Sequence, residues 1–268
     1  MDDTFRLGRI LGIPIAISWT WLLVFALSVW SLSAEVFPST NPGLTGTTYF
    51  GMGVASVLLF FASLLLHELG HAVEARREGM AIDGITLWLL GGIARFRGMF
   101  PSPGAEFRIA IAGPLVTAVI GGLFVLLAGL SHFGSGIDGV LAWLAYINLF
   151  VLSFNLIPAL PLDGGRVLRS ALWKMRGNFA WATSATAVVS RLFGALMVAA
   201  GILAFFATGL FSGLWLAFVG WFLLRAARGE AAAEVATDDA RFHGRRGPDA
   251  AGSHPERHAT GGAWRLPD

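Results

Sequence analysis

Three residues in one apolar stretch have the types and spacing of a metal-dependent hydrolytic site. His67, Glu68 and His71 form the pattern His-Glu-x-x-His within LLLHELGHAVEARR. On a helix, residues four positions apart lie on one face with Cβ atoms about 5–6 Å apart, so both imidazoles can bind one zinc ion. The carboxylate beside the first histidine can accept a proton from a water molecule that zinc has made more acidic. The sequence therefore predicts two zinc ligands and a general base.

A catalytic zinc site usually has three protein ligands and one open position, so a third ligand is needed. Glu74 lies on the same helix and is badly placed to complete a tetrahedron, and Glu106 begins another apolar stretch among surface-type residues. Asp163 is the better candidate, because the prolines and glycines of NLIPALPLDGGR break the helix and let the backbone approach other groups. A helix-capping role, including an ion pair between Asp163 and Arg166, is the alternative.

The elements that must position these residues are membrane helices. Hydrophobic residues make up 55% of the 268 residues and charged residues 13%, whereas a soluble domain has about 25% charged residues. This composition excludes a soluble globular enzyme and a disordered chain. The chain has no cysteine, which excludes disulfides and cysteine-ligated metal sites, and its net charge of +2 does not favour nucleic-acid binding.

Six stretches are long and apolar enough to cross a bilayer, which takes about 20 residues. They are Ile15–Ser33, Tyr49–Ala72, Phe107–Leu130, Val140–Pro158, Val188–Thr208 and Phe211–Leu224. The loops after the first, third and fifth spans contain no Lys or Arg, so the positive-inside rule places both termini and the active-site opening in the cytoplasm. Cleavage of the first span as a signal peptide is disfavoured, because its apolar stretch is longer than usual.

A β-hairpin is predicted between the second and third spans. Residues 82–96, IDGITLWLLGGIARF, contain two apolar runs around Gly91-Gly92, and such a glycine pair is typical of a hairpin turn. We expect the hairpin to lie at the cytoplasmic interface or in a cavity of the protein, with an ordinary interfacial loop as the alternative. Gly91 and Gly92 are candidate substrate-binding residues, since a strand edge can pair with an unwound substrate.

The predicted fold class is an all-α polytopic membrane protein with six transmembrane helices and this small membrane-associated β-hairpin. Residues 1–228 are expected to form one six-span domain with a catalytic core at about 49–170. Residues 229–268 are rich in Ala, Gly, Asp, Arg and His and are expected to form a disordered cytoplasmic tail.

The paired motifs resemble those of the site-2 protease family, which are intramembrane zinc metalloproteases of peptidase family M50. HELGH near the end of one span and NLIPALPLDGGR near the end of a later one carry the resemblance, which covers about residues 5–225. IAGP at 111–114 and LGRILGIP at 7–14 are similar to the prokaryotic six-span branch. We expect neither the CBS domains that many relatives of this branch carry nor the PDZ domain of other branches. Gly113 and Pro114 are expected to allow close helix packing.

The resemblance implies that His67, His71 and Asp163 bind one zinc ion per chain and that Glu68 is the catalytic base. Asn155 matches an asparagine that orients substrate or stabilises the oxyanion. The implied activity is hydrolysis of peptide bonds within or near transmembrane segments of membrane-anchored proteins, with a single-span regulatory protein as the expected substrate. Alternatives are a metal-ion transporter or sensor using the same site and a non-catalytic binding module. The oligomeric state stays open.

Overall fold

The helices of the chain are mostly long and apolar. The computed structural model describes residues 4–88, 91–131, 134–209, 213–227 and 229. Five helical stretches in this part are long and apolar enough to cross a membrane, and a shorter apolar helix follows them. The helices are α1 (Trp19–Ser31), α2 (Phe37–Thr40), α3 (Gly46–Arg77), α4 (Pro103–Leu130), α5 (Ser135–Asn155), α6 (Asp163–Arg176), α7 (Phe179–Thr208) and α8 (Gly213–Ala227).

The predicted polytopic helical fold is confirmed, although its spans differ from the predicted ones in their ends. A π-helical turn at Leu32–Val36 joins α1 to α2, so that the two form one span. The predicted sixth span corresponds to α8, which is shorter than the five full-length spans. The predicted tail at residues 229–268 falls almost entirely outside the described residues, so it stays a prediction.

A four-stranded sheet accompanies the helices. Its strands are β1 (Thr4–Ile10), β2 (Ile13–Ser18), β3 (Ile82–Trp88) and β4 (Gly91–Phe96), in the spatial order β1-β2-β3-β4. The outer pairs are antiparallel, whereas β2 and β3 run parallel. The sheet therefore combines an N-terminal hairpin with the hairpin predicted between the second and third spans.

The prediction that the first span begins at Ile15 was wrong, because this residue belongs to β2. Along β2 the side chains of Ile13, Ile15 and Ile17 are buried and the intervening residues are half-buried. This two-residue period is that of a strand with one covered face. The span begins at Trp19, directly after the strand.

The hairpin between the second and third spans is present, but Gly91-Gly92 is not its turn. Gly91 pairs with Trp88 and Gly92 pairs with Leu87, so both glycines are members of β4. The two residues that connect the strands, 89 and 90, lie outside the described residues. The predicted turn position was therefore wrong by two residues, because residues 89 and 90 connect the strands and the two glycines follow them.

The sheet packs on the half of α3 that carries the two histidines. Ile13, Ile15 and Ile85 of the sheet form a buried cluster with Leu69 and Ala72 of α3. This packing places the strands along the histidine-bearing part of the helix.

α3 and α4 lie in direct contact. A methyl group at Gly70 of α3 would come within 3.0 Å of the Ala112 carbonyl oxygen of α4. At the helix ends, Arg108 of α4 donates a hydrogen bond of 2.6 Å to Glu78, which follows α3. This bond is the main cause of the lowered pKa of the Glu78 carboxyl.

Candidate metal centre

Two elements that are distant in sequence bring the three predicted zinc ligands together. His67 and His71 lie on α3, and Asp163 is the first residue of α6. The Nε2 atoms of the histidines are 3.1 Å apart, and they lie 3.2 Å and 3.3 Å from the two carboxylate oxygens of Asp163. The three residues are only 4%, 4% and 7% exposed. They form a buried group with the composition of a metal site.

The hydrogen bonds on the other side of each imidazole ring direct Nε2 toward this group. His71 Nδ1 is 2.7 Å from the Ile109 carbonyl oxygen, which can only accept, so this nitrogen is the protonated one. His67 Nδ1 is 2.8 Å from the hydroxyl oxygen of Thr117. In a neutral ring, a proton on Nδ1 leaves Nε2 with a free lone pair. A metal-binding histidine usually has a hydrogen-bond partner of this kind on the ring nitrogen that does not bind the metal.

The ligand set fits zinc in both chemistry and spacing. Two nitrogen lone pairs and a carboxylate converge in a buried place, and they repel one another unless a cation lies between them. One carboxylate oxygen of Asp163 has no hydrogen-bond donor in the described structure. Ligand atoms bound to tetrahedral zinc at about 2.0–2.1 Å are about 3.3–3.4 Å apart, close to the separations measured here.

Gly113 of α4 makes room for the two imidazole rings. A methyl group at this position would collide with Nε2 of His71 and would lie 2.8 Å from Cε1 of His67. The sequence indicated only helix packing for Gly113, whereas the structure adds a steric requirement at the metal centre. The IAGP pattern was the available signal, but the residue types alone do not show what α4 packs against.

Glu68 lies beside the metal group and against the sheet. Glu68 as a whole is half-buried, and its carboxylate interacts electrostatically with His71, His67 and Asp163. A methyl group at Gly92 of β4 would collide with Cγ of Glu68 and would lie 2.9 Å from its carboxylate carbon. The terminal strand of the sheet therefore passes directly over the side chain with the best position for a base.

The glycines after Asp163 allow the preceding loop to fold onto α6. A methyl group at Gly164 would collide with the carbonyl oxygens of Leu156 and Ile157, and one at Gly165 would collide with the loop backbone at Leu160. This close approach fixes the position of the first turn of α6.

A second contact holds the same loop to α7. The Leu160 amide donates a hydrogen bond of 2.8 Å to the hydroxyl oxygen of Ser190. The loop is thus fixed on both sides, and Asp163 is presented from a rigid support.

The capping alternative for Asp163 does not fit its position. The N-cap residue of α6 is Leu162, and Asp163 is the first residue within the helix. Among the described residues, the Asp163 carboxylate lies beside the Nε2 atoms of His67 and His71 and forms no ion pair with Arg166.

Asn155 is the last residue of α5 and is half-buried. No hydrogen bond in the described part of the chain joins it to the three ligands.

Glu106 departs from the sequence interpretation, since it is fully buried and not a surface residue. It accepts a hydrogen bond of 2.7 Å from Arg169 of α6. The position of this charged residue at the start of a very apolar helix was the signal that could have indicated its buried contact with Arg169.

Comparisons with known proteins agree on one family. Residues 55–134 and 130–200 match the model of peptidase family M50. The putative zinc metalloprotease Rip3 of Mycobacterium tuberculosis is 41% identical over 234 residues, which cover 86% of this chain and 59% of that protein. The putative zinc metalloprotease sll0528 of Synechocystis sp. is 36% identical over 233 residues, which cover 85% of this chain and 59% of that protein.

The chain therefore spans about three-fifths of the length of these curated relatives. Among solved structures, it resembles the site-2 protease from Methanocaldococcus jannaschii with a TM-score of 0.57 and 30% sequence identity. That match covers 85% of this chain and 95% of the other. The similarity thus extends over both helical segments that carry the three candidate ligands.

Proposed function

Because this chain belongs to peptidase family M50, we propose that it is an intramembrane zinc metalloprotease of the site-2 type. It hydrolyses peptide bonds within or near the transmembrane segments of membrane-anchored proteins. The observation that carries the proposal is the buried group of His67, His71 and Asp163 with the Glu68 carboxylate beside it. Similarity to proteins named as zinc metalloproteases supports the same chemistry.

The residues of the site have separate roles in the proposed reaction. His67, His71 and Asp163 would hold the zinc ion, which when bound would supply Lewis-acid chemistry to the attacking water and to the scissile carbonyl. Glu68 accepts the proton of the attacking water and later donates a proton to the leaving amine. Asn155 orients the substrate carbonyl or stabilises the oxyanion. Burial of the ligands excludes bulk water, which strengthens these charge interactions.

The substrate segment must be extended when it reaches the site, since a helix already uses its carbonyls in internal hydrogen bonds. β4 is the terminal strand of the four-stranded sheet, so an unwound segment can pair with it as a fifth strand. A segment in that position lies beside Glu68, because Gly92 of β4 is in contact with that side chain. Gly91 and Gly92 are therefore the proposed substrate-binding residues.

The proposed orientation places both termini and the opening of the site on the cytoplasmic side. Its support is the basic character of the helix ends on that side, which include Arg76 and Arg77 of α3 and Arg176 of α6. The proposed partners are the lipid bilayer and a single-span regulatory membrane protein as substrate.

Cleavage by the purified full chain in detergent tests the proposal. We expect a single-span membrane substrate to be cut, a chelator to abolish the cutting, and added zinc to restore it. The Glu68→Gln protein should retain zinc and lose about 10²- to 10⁴-fold in rate, because it keeps the ligands but has no general base.

The metal-transporter alternative gives the opposite pattern. It is disfavoured because the part of the chain described here contains one such ligand group, with no second group to pass an ion onward. Zinc flux into sealed vesicles without peptide cleavage would contradict the proposal, as would full activity of the Glu68→Gln protein.

A further inference from the structure

A buried ion pair joins α4 to the helix that carries Asp163. Glu106, in the first turn of α4, is 0% exposed, and Arg169 of α6 is 7% exposed. Nε and a terminal nitrogen of Arg169 lie 2.7 Å and 2.6 Å from the same carboxylate oxygen. Arg169 also faces the aromatic rings of Phe100 and Phe179, at 5.9 Å and 5.0 Å from their centroids. Charges are costly to bury, so a pair enclosed in this way requires an explanation.

The same face of α4 reaches both zinc-binding histidines. Its residues recur at intervals of three and four positions, which places them in one line along the helix. We call this line the α4 stripe, and it consists of Glu106, Ile109, Gly113 and Thr117. The Ile109 carbonyl and the Thr117 hydroxyl are hydrogen-bonded to the two imidazole rings, and Gly113 gives the rings room. The α4 stripe thus touches both ligands that α3 contributes.

The third ligand is connected to the α4 stripe through Arg169. Asp163 and Arg169 lie on one helix, six positions apart, which corresponds to about 9 Å along the helix axis. A rotation or a slide of α6 on α4 would move both residues together. The bond between Arg169 and Glu106 therefore fixes the place at which α6 presents the Asp163 carboxylate.

We propose that Glu106 and Arg169 are positioning residues of the metal centre. They hold α6 in register with the α4 stripe, so that Asp163 meets the two histidines of α3 at ligand distance. Within the described part of the chain, no hydrogen bond or ion pair joins either residue to the metal-facing atoms of the ligands, so their effect is transmitted through α6. This inference rests on the proposed zinc site and adds to it residues that determine its geometry.

If Glu106 and Arg169 served only to stabilise the fold, a different result would be expected. Replacing both residues by apolar ones distinguishes this role from the positioning role. Replacing a buried ion pair by apolar residues of similar size often leaves stability unchanged or higher. The double variant Glu106→Leu/Arg169→Met should therefore unfold at or above the temperature of the single variants. If the pair positions Asp163, the same double variant should still bind zinc weakly, because apolar contacts do not fix the register of α6.

The experiment uses the full chain in detergent with four variants. They are Glu106→Gln, Arg169→Gln, the apolar double variant and, as the matched control, Glu78→Gln, which removes the exposed ion pair that Arg108 of α4 forms at 2.6 Å. Zinc affinity is measured by chelator competition, ligand geometry by the visible spectrum of the cobalt-substituted protein, and stability by thermal unfolding without metal.

We expect the Glu106 and Arg169 variants to bind zinc about 10- to 100-fold more weakly, the range found for residues that support metal ligands. Their cobalt spectra should change, and excess zinc should restore cleavage. The Glu78→Gln control should match the wild type in all three measurements.

Unchanged zinc affinity and cobalt spectrum in Glu106→Gln would overturn the inference. Full zinc affinity in the apolar double variant would do the same, as would a Glu106→Gln protein whose cleavage excess zinc cannot restore. A wild-type chain that binds no zinc would instead remove the proposed function itself, so the two failures are distinguishable.

Discussion

At the residue scale, hydrogen bonds behind the imidazole rings decide which nitrogen atoms face the metal position. His71 is held by the Ile109 carbonyl, and His67 Nδ1 contacts the Thr117 hydroxyl at 2.8 Å. Both contacts favour the ring form in which Nε2 is the metal-facing atom with a free lone pair. A side-chain substitution cannot remove a backbone carbonyl, but it can remove the hydroxyl.

Thr117→Val should therefore lower zinc affinity about 10- to 100-fold, because valine keeps the shape of threonine but leaves the ring of His67 without its partner. Thr117→Ser should stay close to the wild type, since it retains the hydroxyl. Zinc affinity by chelator competition checks both expectations.

Thr183 of α7 provides a matched control for this substitution. It is 2% exposed, and its hydroxyl has no hydrogen-bond partner in the described structure. Thr183→Val should leave zinc affinity unchanged and the fold as stable as before, because no bond is lost. Equal zinc affinity of the valine variants at both positions would contradict the role assigned to Thr117.

The sequence indicated the candidate metal ligands more clearly than the residues that pack against them. The sequence could indicate His67, His71 and Asp163 because ionisable side chains are rare in apolar segments. Burying such a side chain in a membrane protein is costly, so its presence usually indicates a function. Thr117 and Gly113 are ordinary members of a membrane helix by type. Their significance depends on which face of α4 meets α3, and that is a tertiary contact with no local pattern.

At the element scale, the N-terminal strand shows where hydropathy is ambiguous. β2 and α1 are consecutive in the chain and both apolar, so a hydropathy window does not separate them. The two-residue period of buried isoleucines separates them, but a strand that short needs partners to be stable. Its partners are β1 and β3, and β3 lies beyond two spans in the sequence.

The close contact between β4 and Glu68 leads to a prediction at the same scale. Gly92→Val should abolish most cleavage while zinc content stays near that of the wild type, because the new side chain displaces the Glu68 carboxylate but not the ligands. The loss should approach the roughly 10²- to 10⁴-fold expected for an absent general base. Substrate turnover and zinc stoichiometry, measured on the same preparation, check this expectation.

Gly51→Ala serves as the control, because a methyl group at that position of α3 meets no atom within 4 Å. It should cleave substrate at the wild-type rate. Wild-type cleavage by Gly92→Val would count against the assignment of the base and of the substrate-binding strand together.

At the scale of the whole molecule, the metal centre connects elements that are not adjacent in sequence. α3 provides two of the candidate ligands, α6 provides the third, and α4 contacts both of these helices. Binding of an ion to the assembled site stabilises the folded chain, since the unfolded chain does not present the three ligands together.

Removal of zinc should therefore lower the temperature of thermal unfolding. For zinc at 100 times its Kd, mass action gives about 2.7 kcal/mol of stabilisation. Thermal unfolding in detergent, with chelator and then with zinc restored, measures the shift. Asp163→Ala should unfold at a temperature that no longer depends on zinc, and an equal shift in that variant would contradict the assigned ligand set.

The parallel pairing of β2 with β3 determines the order in which the protein can mature during synthesis. β2 leaves the ribosome before the first span, and β3 leaves it only after the second. The hairpin of β1 and β2 therefore cannot pair with β3 until both spans have been synthesised. Asp163 emerges later still. A nascent chain therefore lacks one of the three candidate ligands while its early segments are being inserted, so the proposed protease cannot cut neighbouring polypeptides at the translocon before α6 is made.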